Sequence, residues 1–434
     1  MSHSIEHKTG KEKTGRIFYG FWIVAAGFVL LFLFAGAGFY SFSIFIKPFE
    51  ETFGWSRAAV SFAMSIYQMI HGACAPLVGY LAGKYGPKRI MTAFALGTGA
   101  AFIMVSFTQT LWFFYLAYAL LSVTTTGIGF IPISSLLARW FVRRRGTAIG
   151  ITMVGISVGG LVMSPLVGFL NAQFSWRASY IFMGLLVWVL AIPLTLFVLK
   201  ANPEEMGLLP DGDIPEENDN PLKKTTPLPV VSSSGDTDWP LKPALRSRTF
   251  FWVALTFLLA PMAQGGVLQH QVPLVIEAGL ASTAAAMAMG LTAGFGGLGK
   301  LIFGRLSESW PFHYVATACF GVQALAVFLL LSFHSTIMIW IYVLLYGFGM
   351  GGIVVLLPIV VSHYFGLAAF GTIMGTVAFT QAIGSSSGSF VSGLIFDYMG
   401  NYNYALILFG SIYLLAIFTV FMAGKPKPYI PEKH

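Results

Sequence analysis

Charge is scarce in this sequence. Asp, Glu, Lys and Arg together make up 10% of its 434 residues, against roughly 25% in a soluble domain. That shortfall excludes an ordinary water-soluble globule, whose helices would need charged outer faces. Cysteine is almost missing too. Cys74 and Cys319 are the two present, and both fall inside apolar runs, where no exposed oxidising loop sets up a disulfide. No C-x-x-C pair is possible, and the glycine-rich GISVGG and GFGMGG stretches lack the Lys-Ser or Lys-Thr that completes a phosphate-binding loop. Helix crossings explain those glycines better. No enzyme, metal site or cofactor is expected.

Long apolar runs fill the space that charge leaves. A bilayer core about 30 Å thick needs roughly 20 apolar residues per helix. Twelve such runs lie near 17–46, 57–83, 89–109, 111–138, 146–173, 178–199, 249–278, 282–306, 314–333, 336–363, 371–396 and 402–423. The expected fold is therefore an all-α membrane protein of twelve transmembrane helices. The polar N-terminus is followed by a run too long for a signal peptide, so the first helix is expected to stay in place.

Basic residues orient the chain, because Lys and Arg concentrate in cytoplasmic loops. Of the 25 present, Lys47, Arg57 and Arg177 fall outside when both termini are inside, Lys300 falls within a run, and the other 21 are cytoplasmic (25 − 4). The net charge of +8 is thus a topology signal. The expected location is the cytoplasmic (inner) membrane, with both termini in the cytoplasm. The cluster Arg139, Arg143, Arg144 and Arg145 fits orientation and contact with anionic lipid heads. Basic residues divided among loops argue against nucleic acid as a partner.

Residues 201–248 break the pattern with eight prolines and nine acidic residues, which is the composition of a mobile linker. The linker divides the chain into a tail at 1–16, a six-helix bundle at 17–200, a second at 249–424 and a tail at 425–434. The bundles repeat one another. YALLSVTTTGIGFIPISSLLARWF (118–141) aligns without a gap on YVLLYGFGMGGIVVLLPIVVSHYF (342–365), GTAIG (146–150) on GTIMG (371–375), FWIV (21–24) on FWVA (251–254), and GACAPLVGYL (72–81) on GLGKLIFGRL (297–306). Two pseudo-symmetric halves on one linker are the layout of transporters whose halves rock about a midplane site.

GYLAGKYGPKR (79–89) and GRLSESW (304–310) resemble the paired gate loops of the major facilitator superfamily. The first keeps Gly79, Lys84, Gly86 and Arg89 but has Gly83 where that family usually has an aspartate. The second keeps Gly304 and Arg305, with Glu308 in the acidic place. YGFWIV (19–24), WFVRRRGTAIGITMVGISVGG (140–160) and the cation before the second loop narrow the resemblance to the monocarboxylate transporter and oxalate:formate antiporter branch. The resemblance implies a carboxylate-binding cation at Lys300, where the branch has arginine. The branch's proton-coupling aspartate is replaced by Gly296, and its lysine on the eleventh helix is missing.

Lys300 is the candidate that chemistry singles out. A cation in hydrocarbon costs at least about 2.5–3.5 kcal/mol, so it faces a cavity or a counterion, unless its long stem snorkels to the interface one turn away. No acidic residue lies deep in any run to neutralise it, so the missing anion is read as the ligand. His71 pairs with Gly296 in the repeat and can change charge near neutral pH. It and His270 are the proton-coupling candidates, each with the plain alternative of a neutral histidine bonded to a neighbouring helix. His270, Tyr40, Tyr118 and Tyr342 lie on helices 7, 1, 4 and 10, which line the cavity in the resembling family. With Gln381 they complete the expected substrate site, and Thr380 and the Ser385–Ser387 run flank it.

These readings together predict a secondary active transporter of small organic monocarboxylates, lactate- or pyruvate-like, monomeric and coupled to protons. The alternatives are an organic anion exchanger and an anion sensor that moves nothing.

Overall fold

The computed structural model describes residues 18–212, 239–332, 336–366 and 369–424. The expected tails at 1–16 and 425–434 lie outside the described residues, as does most of the expected linker. Twelve long helices account for nearly all of the rest. We label them α1 (Gly20–Phe53), α2 (Arg57–Tyr85), α3 (Pro87–Ser106), α4 (Leu111–Trp140), α5 (Arg145–Gln173), α6 (Trp176–Val198), α7 (Arg248–Leu268, continued by Gln271–Glu277), α8 (Ser282–Ser309), α9 (Phe312–Leu329), α10 (Thr336–Phe365), α11 (Phe370–Met399) and α12 (Asn403–Met422). No strand occurs among the described residues. An even number of spans puts residues 18 and 424 on one face of the bilayer, the termini side; the opposite face is the far side.

Local sequence starts and stops these helices. Ser56, Thr110, Ser175 and Ser247 each accept the N–H three residues on, which satisfies a donor that the first turn leaves unpaired. α1 runs to Phe53, past the expected end at 46, and Gly54 stops it at φ +66°. Lys47, Glu50 and Glu51 therefore belong to helix rather than loop. Phe197, Val189, Leu301 and Ile337 are 63–74% exposed, and such faces require an apolar solvent. Ten of the helices are long and apolar enough to cross a membrane on their own composition. α2 and α11 fall short of that measure, and these two pack on each other.

The internal repeat is visible as packing. α1 lies on α5, α2 on α4 and α3 on α6, while α7 lies on α11, α8 on α10 and α9 on α12. In the first half a Cβ at Gly155 or Gly159 would strike the carbonyls of Phe28 and Phe32. In the second, a Cβ at Gly384 or Gly388 would strike those of Leu258 and Met262. Each pair is a G-x-x-x-G face that lets two backbones touch. GISVG (155–159) and GSSSG (384–388) also have G-x-S-x-G spacing, but both are mid-helix, and a nucleophile elbow needs a strand-to-helix turn.

Two seams of small residues join the halves. On one, Ala58, Ser65 and Gly72 of α2 meet Gly393, Ser386 and Ala382 of α11, and Ser61 and Ser389 are joined through the His270 ring. Ser65 donates to the Ser386 carbonyl at 2.6 Å and Gly72 abuts Ala382. On the other, Ala286, Gly290, Ala293, Gly297 and Lys300 of α8 meet Gly168, Leu161, Gly160 and Ser157 of α5. Spacings of three and four put each set on a single helix stripe. Toward the termini side the seams stop: a Cβ at Gly146, Gly150, Gly371 or Gly375 would meet nothing within 4 Å. The halves are closed on the far side and splayed on the termini side.

The described flanks of the expected linker are not free chain. Asp211 has φ +61°, and its carboxylate accepts the N–H groups of Val142 (3.0 Å), Arg143 (2.8 Å) and Arg144 (3.4 Å) at the start of α5. Arg139 reaches Asn202, Trp140 donates to the Lys200 carbonyl, and the Trp239 N–H bonds to the Phe365 carbonyl. Burial raises the Asp211 pKa, but the three N–H groups and the Arg143 guanidinium more than offset this and hold it below the usual carboxylate range. Its stabilisation is thus complete above the unfolded value of about 3.9 and is lost as pH falls through the lower folded value. Asp211→Ala should cost about 1–2 kcal/mol at pH 7, the cost of losing a helix cap. In thermal unfolding in detergent, the gap to the parent should hold from pH 8 to pH 5 and close only in stronger acid.

Candidate functional site

The Lys300 ammonium donates to Ser157 Oγ of the other half at 2.9 Å. α8 continues from Lys300 to Ser309, nine residues (309 − 300) or about 14 Å. The side chain therefore crosses to α5 and does not run one turn to the interface, as snorkelling would require. No Asp or Glu lies within 4.0 Å of the ammonium among the described residues. Lys300 is a cation at the seam whose hydrogen-bond partner among the described residues is a neutral hydroxyl. Three donors on an ammonium leave capacity for an anion.

α1 widens to a π-helix over Phe34–Tyr40, and such bulges often sit at functional sites. This one brings Phe34 onto the His71 ring, stacked at 5.2 Å, and sets the Tyr40 ring against Gly160, one turn of α5 from Ser157. His71 Nδ1 lies 2.9 Å from Thr126 Oγ1 of α4, and Tyr67 stacks beside it. The repeat has the same contact in the other half, where Gly296 abuts Met350 of α10. His71 and Gly296 thus both face within their own halves.

The other expected residues are spread over the two bundles. Tyr118 bonds Tyr180 of α6 at 2.5 Å inside the first half. Tyr342 stacks on Tyr346 in the second half, and its buried hydroxyl has no partner among the described residues. Gln68 Nε2 and both amide atoms of Gln269 are equally orphaned. Buried polar groups are nearly always paired, so these mark places that a polar ligand or water would complete. Gln381 adjoins Ala382, where α11 meets Gly72, and Thr380 turns back on Val377 within α11. The structure brings Lys300 and Tyr40 to the α5–α8 seam, leaves His71 among Phe34, Tyr67 and Thr126 of the first half, and sets Gln381 in α11 next to the residue that meets Gly72.

His270 is set apart from these, at the break in α7 and fully buried. Nε2 faces the Ser389 carbonyl (2.9 Å) and Ser61 Oγ (3.0 Å), and Nδ1 faces the Tyr402 hydroxyl (2.9 Å). A carbonyl can only accept, so Nε2 carries the proton and Nδ1 receives the one from Tyr402. Tyr402 in turn accepts from Arg57 Nη1 at 3.1 Å. Arg57 is the hub of the far side. It bonds Glu50 at 2.5 Å and Glu277 at 2.8 Å, lies 3.4 Å over the Phe396 ring, and its N–H and that of Ala58 bond the Asp397 carboxylate at 2.9 and 2.8 Å. Lys47 reaches the same Glu277 oxygen at 3.2 Å. Arg57, Lys47 and Glu50 come from the first half, and Glu277, Asp397 and Tyr402 from the second.

Residues 28–389 match the family model described as Major Facilitator Superfamily. The chain belongs to this superfamily. It is similar to monocarboxylate transporter 12 of Mus musculus, 26% identical over 413 residues, 90% of this chain and 82% of that protein. It is 26% identical to monocarboxylate transporter 13 of Bos taurus, covering 89% of this chain and 87% of that protein. An uncharacterised MFS-type transporter of Bacillus subtilis (strain 168), YcxA, is 22% identical over 86% of this chain and 89% of its own length. Among solved structures, the nucleoside transporter NupG superposes with a TM-score of 0.73 at 12% identity, covering 93% of this chain and 99% of that one. A bacterial homologue of the lysosomal transporter Spinster, inward-facing and occupied, gives 0.70 at 13% identity, covering 94% and 97%. The structural likenesses show the fold: twelve helices in two six-helix halves. Membership makes the protein a transporter and not an enzyme.

The residues expected to form the gate loops sit at the splayed end of this superfamily member. Gly86 turns the chain between α2 and α3 at φ +85°, a conformation that favours glycine. Gly79 faces Ile131 of α4, Lys84 lies over the Tyr80 and Tyr85 rings, and Arg89 is exposed. Gly304 faces Val355 of α10 and Arg305 is exposed, while the Glu308 side chain lies outside the described residues. Among the described residues no ion pair joins the two loops. Sequence reasoning missed Ser157 and the Arg57 hub. The available signal was that Glu50, Glu51, Glu277 and Asp397 fall on the same face as Lys47, Arg57 and Arg177, opposite the basic loops.

Proposed function

We propose that this chain is a secondary active transporter of small organic monocarboxylates, coupled to protons and working by alternating access. The termini side is then the cytoplasm, and the membrane the cytoplasmic (inner) one. The observation that carries the reading is Lys300, a cation at the inter-half seam with no carboxylate partner among the described residues. The names of the monocarboxylate transporter relatives support the same substrate class. The carboxylate lies between Lys300 and Ser157, Tyr40 closes the α1 side of the site, and the orphaned hydroxyl of Tyr342 and the amides of Gln68 and Gln269 serve the substrate's other polar group or water. His71 carries the coupled proton. His270 acts in far-side closure, because its bonds in this state are all to protein groups. The absence of acid at Gly296 favours exchange of one anion for another as the second reading.

Uptake of labelled lactate and pyruvate into proteoliposomes tests the proposal. Accumulation driven by an inward proton gradient into anion-free vesicles is expected. Uptake that ignores the gradient and needs internal anion overturns symport in favour of exchange, and absence of any flux removes transport of these acids.

A further inference from the structure

The far-side closure holds an unbalanced set of charges. Lys47 and Glu50 from α1, Arg57 from α2, Glu277 from α7 and Asp397 from α11 meet there, with neutral His270 from α7 and Tyr402 from α12 beneath them. That is two cations against three carboxylates. The three acids are not equivalent. Glu50 bonds Arg57 within its own half, so its protonation leaves the contacts between halves in place. Asp397 spends one oxygen on each of two backbone N–H groups. Glu277 takes both cations of the opposite half on a single oxygen, Oε1, and its side chain is 41% exposed. Asp397 also joins the halves and is exposed, but through backbone N–H groups. Glu277 is the exposed carboxylate whose partners across the interface, among the described residues, are both cations.

We infer that Glu277 is a proton-binding site that governs opening of the far side. A proton from the far-side solution adds to its carboxylate and gives the neutral acid. Lys47 and Arg57 then lose their anionic partner across the interface, and α7 is released from α1 and α2. Acid on the far side favours opening toward the proton source, which is the order of events that proton-driven uptake needs. The inference takes its functional meaning from the proposed transport, but its test does not use substrate.

Ser43 accepts the Val272 N–H at 3.0 Å and is fully buried where α1 meets α7. A Ser43→Cys probe, with Cys74 and Cys319 replaced by alanine, is labelled with an impermeant thiol reagent from the far side of proteoliposomes. Rates are normalised to Gln109→Cys, an exposed far-side position. Burial raises the Glu277 pKa, but Arg57 and Lys47 more than offset this and hold it below the usual carboxylate range. The normalised rate in the parent is therefore expected to stay level from pH 8 to pH 5 and to rise about tenfold only in stronger acid, as that carboxylate protonates. With Glu277→Gln it is expected to be high and flat, Glu277→Asp should restore the slope, and exposed Glu51→Gln should match the parent. A parent profile that stays flat in the stronger acid, or a slope that survives Glu277→Gln, overturns the inference. Failure of carboxylate uptake alone would count against the proposed substrate and leave this result standing.

Discussion

Lys300→Gln should weaken carboxylate binding by roughly ten- to 150-fold, the factor that corresponds to losing a charge-assisted hydrogen bond of about 1.5–3 kcal/mol. Glutamine keeps an uncharged donor on a stem one bond shorter, so the loss falls chiefly on the charge. The protein itself should be at least as stable, because an ammonium at a transmembrane seam costs about 2.5–3.5 kcal/mol to hold there. Weaker ligand binding with undiminished thermal stability is the signature of a binding cation; a structural lysine would give the reverse. Lys300→Arg should retain binding, since a guanidinium also pairs with a carboxylate, with altered selectivity from its planar fork. Isothermal titration and proteoliposome uptake on the three proteins decide the matter, and unchanged binding and uptake in Lys300→Gln would remove Lys300 from the site.

The twelve spans were legible because each helix must bury about 20 residues in hydrocarbon, a constraint written locally in the chain. Their ends were less so. α1 was expected to stop at 46 because Lys47, Glu50 and Glu51 read as a loop, yet the helix runs on to Phe53, with Lys47 paired to Glu277 of the other half and Glu50 to Arg57 of its own. The snorkelling alternative for Lys300 assumed an interface one turn away at Gly304, but GRLSES forms the last turns of α8, which runs to Ser309. Helices outrun the apolar window wherever their ends project beyond the hydrocarbon.

The repeat was legible as an alignment, and its packing then followed residue by residue, with Gly155 and Gly159 echoed by Gly384 and Gly388, and the His71–Thr126 contact by Gly296–Met350. Contacts between halves have no such echo in one sequence. Ser157 meets Lys300 across 143 positions, and Arg57 meets Glu277 across 220. The polarity of α2 and α11 was the available hint, since a span too polar for lipid on every face must turn one face to protein. That face proved to be a seam of serine, glycine and alanine.

Arg57→Met should lower stability by about 2–3 kcal/mol, less than the roughly 3–5 kcal/mol for breaking a fully buried pair because Glu277 stays 41% exposed. Methionine fills much of the volume beside Phe396 and Tyr402, so the loss is electrostatic: Glu50 loses the cation bonded to it, Glu277 keeps only Lys47, and Tyr402 loses its donor. The damage is confined to the closed far side, where Glu50 of the first half and Glu277, Phe396 and Tyr402 of the second meet one guanidinium. If the cost arises from stranded carboxylates, adding Glu277→Gln to Arg57→Met should recover part of it, giving a coupling of about 1 kcal/mol or more in a double-mutant cycle. If Arg57 serves only as packing against Phe396, the two effects should simply add. Thermal unfolding of the parent, both single variants and the double variant in one detergent separates the cases. A melting point for Arg57→Met within a degree of the parent would remove Arg57 as the keystone of far-side closure.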